Sequence, residues 1–371
     1  MVLFPEKCVT LQSENKTRLI MGKKIVTFGE LMLRFSKEDK KRLSQGKVFC
    51  GNYGGSEANV AVSLAMQGDA VEYVTRLPAT QTGRAGARKL SELGVGTDYI
   101  LYGGDRIGVY YFEEAASIRN ASVTYDRANS AYYYLQPGMI DWHAALKEAS
   151  VLHVSGITAA ITQPAADATF EAIDVAEEMG LTISIDLNYR KNLWRYEGAQ
   201  PRETLNRMAE HADVMFGDVI EYEFITQHPK IPFLPLSSDY DMNLGAYREW
   251  YDDLHRRFPR CQKMMIGMRN EVSSSRHFLT ALLWTAGKML NARIVDIPQV
   301  VDPMGVGDAF SAGFLHALRL FPDDDQRVLD YSLAAASLKN TIAGDFNLST
   351  EEEILEVMNS DYAIHHIKVY D

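Results

Sequence analysis

From residue 151 onward the chain alternates short β-branched and aliphatic runs with longer amphipathic ones. Residues 151–154, 181–186 and 213–216 read as strands, and residues 165–179, 202–211 and 219–224 as helices. Gly180 punctuates the first of these helices, as a helix C-terminus favours. Strand–helix repetition at this spacing calls for a mostly parallel sheet, because parallel neighbours need a crossover long enough to hold a helix. The flanks extend the pattern, with strands expected at 24–28, 71–75, 263–267, 277–284 and 293–297. Helices are expected from Ser56-Glu57 to Gly68, at 86–93, at 326–341 and at 350–358. A Pro-rich stretch, 229–242, leads into an amphipathic helix reaching Phe258. Residues 107–112 and 123–127 interrupt the alternation. They are β-rich, with a polar turn near Arg119-Asn120. They read as a hairpin inserted between α/β units, which with residues 33–53 forms a small sheet covering a site. Tyr132-Tyr133-Tyr134 reads as strand or interface packing.

A length of 371 residues suits two domains, or one large α/β domain with an insertion. Hydrophobic residues make up 46% and charged residues 23%, enough for a large core in a soluble chain. The net charge of −11, with no lysine or arginine stripe, argues against nucleic acid and anionic membrane surfaces as partners. An acidic chain that binds an anion must gather its positive charge locally. Cys8, Cys50 and Cys261 lie far apart with no CxxC, which argues against disulfide frameworks and zinc sites and fits a reducing cytoplasm. Cys50 and Cys261 read as small buried apolar residues. No apolar run is long enough to span a bilayer, and the first twenty residues lack the apolar core of a signal peptide. Residues 1–22 therefore read as an extension outside the fold, residues 23–371 as the α/β core, and His365-His366 as a tail.

Phosphate-binding P-loops, GxGxxG dinucleotide turns, HExxH and GxSxG are all missing from the sequence. The chemistry falls instead to Asp302-Pro-Met-Gly-Val-Gly-Asp308 and the apolar helix-like run after it. Strand, glycine turn and helix start make an anion site, because glycines turn backbone N–H groups toward a ligand and the helix N-terminus adds partial positive charge. An aspartate at that point suits a reaction in which it takes the proton of an attacking hydroxyl, that is, phosphoryl transfer to an alcohol.

Together, Gly54-Gly55-Ser-Glu-Ala-Asn59 and Asp302–Asp308 resemble the two signatures of the ribokinase-like (PfkB) carbohydrate kinases, over about residues 23–360. The resemblance implies a ribokinase-like three-layer α/β sandwich, with a mostly parallel central sheet and a small β-sheet lid at about 33–53 and 103–128. It implies ATP- and Mg²⁺-dependent phosphorylation of a sugar, and it allows a monovalent cation. It implies Asp308 as general base, the N–H groups of Gly305, Val306 and Gly307 as anion hole, and Gly54, Gly55 and Asn59 at the sugar. Asp218-Val-Ile-Glu221 is similar to the family's Asn-x-x-Glu, which puts Asp218 and Glu221 near the nucleotide and Glu221 indirectly near the metal. Gly267 falls in the nucleotide turn, and Asn340 is a candidate for the adenine. Pro303 and Met304 stand where the family usually shows threonine.

The most similar branch is that of the 2-keto-3-deoxygluconate kinases, through Tyr110, Tyr125-Asp-Arg127 and Asp186-Leu-Asn-Tyr-Arg190. A keto-deoxy sugar acid carries a carboxylate, which a guanidinium grips bidentately. Arg127 and Arg190 are the expected cations, Arg190 at a strand end where open α/β sheets bind ligands. Tyr110, Tyr125 and Asp345 are further substrate contacts that the resemblance implies. The expected partners are a sugar acid and ATP, with assembly into a homo-oligomer through the lid. A neutral-sugar kinase for fructose or ribose, and a catalytically silent sugar-acid-binding relative, are the alternatives.

Overall fold

The computed structural model describes residues 24–360 and Tyr362. The extension expected at 1–22, Cys8 and the His365-His366 tail lie outside the described residues.

The central sheet has ten strands. Its parallel part is β1 (Lys24–Phe28), β4 (Val71–Leu77), β5 (Ile100–Tyr102), β8 (Ala149–Ser155), β9 (Thr182–Asp186), β10 (Val214–Asp218) and β11 (Lys263–Glu271), in the spatial order β11-β10-β9-β8-β1-β4-β5. Beyond β11 the sheet continues antiparallel with β12 (His277–Thr285), which pairs with β13 (Lys288–Asn291) and β14 (Val295–Ile297). Neighbouring residues of one strand enter opposite cores. Val26, Leu152, Met215 and Met264 join one apolar cluster, while Ile25, Val151, Val214 and Met265 join the other. A strand buried on both faces loses the alternation that marks a half-exposed one, and helices cover both sides.

On the first face lie α3 (Trp142–Leu146), α5 (Gln163–Glu178), α6 (Pro201–His211), α7 (Val219–Thr226) and α8 (Leu244–Arg257). On the second lie α1 (Ser56–Met66), α2 (Gln81–Glu92), α9 (Val306–Leu320), α10 (Asp325–Lys339) and α11 (Glu351–Asn359). A one-turn helix, α4 (Gly156–Ala159), follows β8. The result is the three-layer ribokinase-like arrangement that the sequence resemblance implies.

A second sheet of four strands has the order β3-β2-β6-β7, from β2 (Met32–Ser36), β3 (Cys50–Gly54), β6 (Gly108–Glu113) and β7 (Ser122–Asp126). The expected hairpin is β6–β7, with Tyr110 opposite Tyr125. Some details differ from the sequence reading. Tyr132–Tyr134 is a 3₁₀ turn, not a strand, and Tyr132 is buried against Phe28 in the main core. Cys261 is buried, but Cys50 starts an edge strand and is half-exposed. β11 runs four residues past its expected end because Met268–Glu271 pair antiparallel with His277–Thr280. Among the described residues no helix is long and apolar enough to cross a membrane.

Candidate active site

The glycine turn between β14 and α9 is shaped from behind. Gly305 has φ +78°, and a Cβ there would lie 2.1 Å from the Asp345 carbonyl oxygen. No L side chain fits both conditions. At Gly307 a Cβ would meet nothing within 4 Å, so the space in front of the helix is open. One glycine lets the loop press against residue 345, and the other leaves room for a ligand. The first N–H groups of α9 have no intrahelical acceptor and face that space with the positive end of the helix dipole. Gly305→Ala is expected to destabilise the protein by about 1–2 kcal/mol for the left-handed backbone alone, with the clash added. A fall in the thermal midpoint together with loss of turnover would report it.

Asp302 staples the loop. Its Oδ1 accepts from Met304 N at 3.0 Å, and its Oδ2 accepts from Gly344 N at 3.0 Å and Arg34 Nη2 at 2.6 Å. Arg34 Nη1 reaches Asp345 Oδ1 at 3.0 Å, and the Tyr110 hydroxyl donates to Asp345 Oδ2. Burial pushes Asp345 up to about 6, while Arg34 holds it down. Asp345 is therefore an anchored member of a buried ion cluster, with an edge on the cleft.

Asp308 stands in the first turn of α9. Asn59 Nδ2 donates to its Oδ2 at 2.7 Å and Ser56 Oγ to its Oδ1 at 2.8 Å. Ser56 Oγ in turn accepts from Asn188 Nδ2 at 3.0 Å, and Asn59 Oδ1 accepts from Gly55 N at 3.2 Å. Both donors to Asp308 are uncharged. Burial raises its pKa, against the pull of Asn59 and Ser56. That environment makes the carboxylate a better proton acceptor than a freely solvated aspartate.

In front of Asp308 is a cleft of about 900 Å³. Its floor is the carboxyl ends of β9 and β10 together with β11 and the start of α9, and one wall is the second sheet through Tyr110, Phe112 and Tyr125. Gly55, Asn59, Arg190, Asp218, Glu221 and Gly267 also line it. Arg190 is exposed at its edge, and Gly267 leaves open space where a Cβ would be. Asp218 and Glu221 form a capping box at α7. Asp218 Oδ1 accepts from the N–H groups of Ile220 and Glu221 at 2.7 and 3.0 Å, and Glu221 Oε2 accepts from Asp218 N at 2.7 Å. Burial and the neighbouring Asp218 push Glu221 up to about 7, and burial, Glu221 and Asp308 push Asp186 well above its usual range. This crowding of carboxylates fits a divalent cation carried in on a nucleotide triphosphate. Among the described residues no preformed cluster of three or more metal-binding side chains exists, and Mg²⁺ commonly completes its shell with phosphates and water.

Three expected site residues sit elsewhere. Arg127 is not a free cation on the second sheet. It is buried, with Nε and Nη2 at 2.8 and 2.6 Å from Glu30 Oε2, and Ser130 Oγ donates to the other Glu30 oxygen at 2.7 Å. Gly54 does not line the cleft; its missing Cβ lets Asp345 pack at a distance of 2.5 Å from where that atom would be. Asn340 is buried at the end of α10, where Nδ2 donates to Ala336 O at 2.9 Å, so it does not face a base. The sequence reading missed Asn188, Arg34, Asp302 as a staple, and residues 230–234 of the Pro-rich insertion, which line the cleft. The apolar Ile231-Pro-Phe-Leu234 within that insertion was the available signal.

Residues 22–239 match the model of the pfkB family carbohydrate kinases. The solved structure of a 2-dehydro-3-deoxygluconokinase from Thermotoga maritima superposes with a TM-score of 0.82 at 34% identity, covering 91% of this chain and 99% of its own. A 2-dehydro-3-deoxygalactonokinase from Haloferax volcanii is 27% identical over 342 residues, 91% of this chain and 97% of the relative. A 2-dehydro-3-deoxygluconokinase from Bacillus subtilis is 25% identical over 348 residues, 92% of this chain and 98% of the relative.

Proposed function

The chain belongs to the pfkB family of carbohydrate kinases, and on that footing we propose that it transfers the γ-phosphoryl group of ATP to the terminal hydroxyl of 2-dehydro-3-deoxygluconate. The observation that carries the reading is Asp308, in the cleft lining at the start of α9, held by two uncharged donors and raised in pKa. The acceptor hydroxyl gives its proton to the Asp308 carboxylate as its oxygen bonds to phosphorus. The bond from phosphorus to the departing ADP oxygen breaks, and its electron pair stays on ADP. The N–H groups of Gly305, Val306 and Gly307 meet the charge on the transferring oxygens, a preorganised arrangement that needs no rearrangement at the moment of reaction. Glu221 and Asp218 would hold Mg²⁺ brought in with ATP, and it would neutralise charge on the phosphates.

Arg190 holds the sugar carboxylate. Arg127 is already neutralised by Glu30, so the carboxylate role passes to Arg190, at the carboxyl end of β9 in the cleft lining, with Tyr110 and Tyr125 packing the sugar. The names of the Thermotoga, Haloferax and Bacillus relatives support a 2-keto-3-deoxy sugar acid over a neutral sugar. The test is ADP release, coupled to NADH oxidation, across 2-dehydro-3-deoxygluconate, its galactonate epimer, fructose and ribose, with Mg²⁺. The gluconate acid is expected to have the highest kcat/KM. Preference for fructose or ribose would remove the sugar-acid assignment, and binding without turnover would remove the kinase reaction.

A further inference from the structure

Behind the glycine turn, on the side away from the cleft, lies a lysine that the phosphoryl-transfer chemistry above does not use. Lys339 is the last residue of α10, and its relative exposure is 0%. Its Nζ donates to the Ile342 carbonyl at 2.9 Å and to the Asp302 carbonyl at 3.4 Å. These two oxygens come from the two segments that meet under the turn. The same segments are joined by Val301 N and Asp302 N, which donate to Asn340 O at 2.8 and 3.3 Å. A Cβ on Gly305 would lie 3.5 Å from Lys339 Cε, so the lysine stem backs directly onto the first residue of the anion hole.

Carbonyl oxygens from two converging loops, beside the buried carboxylates Asp302 and Asp345, form the kind of oxygen cage that takes a bare monovalent cation. Here the cage already holds a covalently attached one. Within the cluster, Asp302 and Asp345 carry two negative charges, and Arg34 and Lys339 two positive. A further cation would have to share these oxygens with the Lys339 ammonium, and like charges at that distance repel. Burial lowers Lys339 to about 8, while Asp302 and Asp345 work to keep it charged, so it is mostly an ammonium at neutral pH.

We infer that Lys339 is the resident monovalent cation of the phosphoryl-binding turn: its ammonium occupies the carbonyl oxygens that a potassium or sodium ion would take, and transfer needs no added one. A monovalent-cation cofactor, which the family resemblance allows, does not fit this cage. Lys339 acts as a positioning residue. It fixes the Asp302 carbonyl at the root of the turn and sets a positive charge behind the N–H groups that meet the phosphoryl oxygens.

The inference rests on the kinase reading, and the experiment separates the two. The unmodified chain, Lys339→Ala and Lys339→Met are compared in tetramethylammonium, sodium, potassium and ammonium chloride at one ionic strength. Turnover with ATP and Mg²⁺ is measured, and so is the thermal midpoint without ligands. The unmodified chain is expected to show the same kcat and the same midpoint in all four salts. Lys339→Ala, which opens a cation-sized space, is expected to lose kcat on the order of a hundredfold in tetramethylammonium through misplacement of the turn. Potassium or ammonium should restore part of that loss and raise its midpoint. Lys339→Met, which fills the space without charge, should recover neither. Activation or stabilisation of the unmodified chain by potassium overturns the inference whatever becomes of the variants. So does a Lys339→Ala protein that turns over normally in tetramethylammonium, or a folded one that no cation restores or stabilises. Should no acceptor be phosphorylated at all, the kinase reading fails, and the salt dependence of the midpoints still decides whether the ammonium fills the cage.

Discussion

Asp308→Asn is expected to lower kcat by about 10²–10⁴-fold, the usual contribution of a positioned general base, while the Kd for the sugar acid changes little. The amide has nearly the volume of the carboxylate and can still accept from Ser56 or Asn59. It cannot take a proton from the acceptor hydroxyl. Rapid-quench turnover beside calorimetric titration of the sugar would separate the two quantities, and retention of more than a tenth of kcat would sink the assignment. The pH profile gives a second reading. The Asp308 pKa is raised above the usual 3.8, so the carboxylate is lost as pH falls through that raised value. Activity should therefore fall on the acid side earlier than an ordinary aspartate would require, with a plateau above.

Arg190→Ala is expected to raise the KM for the sugar acid by about ten- to a hundredfold, which corresponds to losing a charge-assisted hydrogen-bonded contact worth about 1.5–3 kcal/mol. The effect should be confined to acceptors with a carboxylate. Fructose or ribose, tested at high concentration, should keep its kcat/KM, because neither offers the guanidinium an anion. An equal loss for acid and neutral sugars would mean that Arg190 shapes the cleft through Glu221 and Asp186 instead. Arg190 is exposed at the cleft edge, so its removal should leave the thermal midpoint close to that of the unmodified chain. A variant that failed only by unfolding would be recognised on that measurement.

Much of the scaffold was legible because its information is local. The strand at 24–28 and the start of α7 at Val219 fall where their composition puts them. Asp308 could be found from sequence because its neighbours Gly305 and Gly307 carry the signal of the turn. The residues that hold the turn in place could not. Arg34 and Asp302 are 268 positions apart, and Asn59 and Asp308 are 249 apart. Nothing in the chemistry of an isolated arginine tells which buried carboxylate it will meet. Arg127 illustrates the cost. It looks like a substrate cation beside Tyr125 until Glu30, 97 positions earlier, claims it. Asn340 looks like a polar helix surface, yet its backbone carbonyl accepts from Val301 and Asp302, a role invisible to side-chain patterns. The short elements α3 and β13 escape for another reason, since five and four residues carry too little periodicity to read.

The second sheet is moored at its base. Arg34 and Tyr110 belong to its two inner strands, and the carboxylates they grip, Asp302 and Asp345, belong to the loops that frame the start of α9. Swinging the whole sheet away would part these buried opposite charges and leave them uncompensated, which is strongly unfavourable. The outer strand Ser122–Asp126, by contrast, is mostly exposed. The second sheet and the glycine turn thus share one buried ionic framework, and a ligand pressing on Tyr110 would press on the loops that hold Gly305 in place.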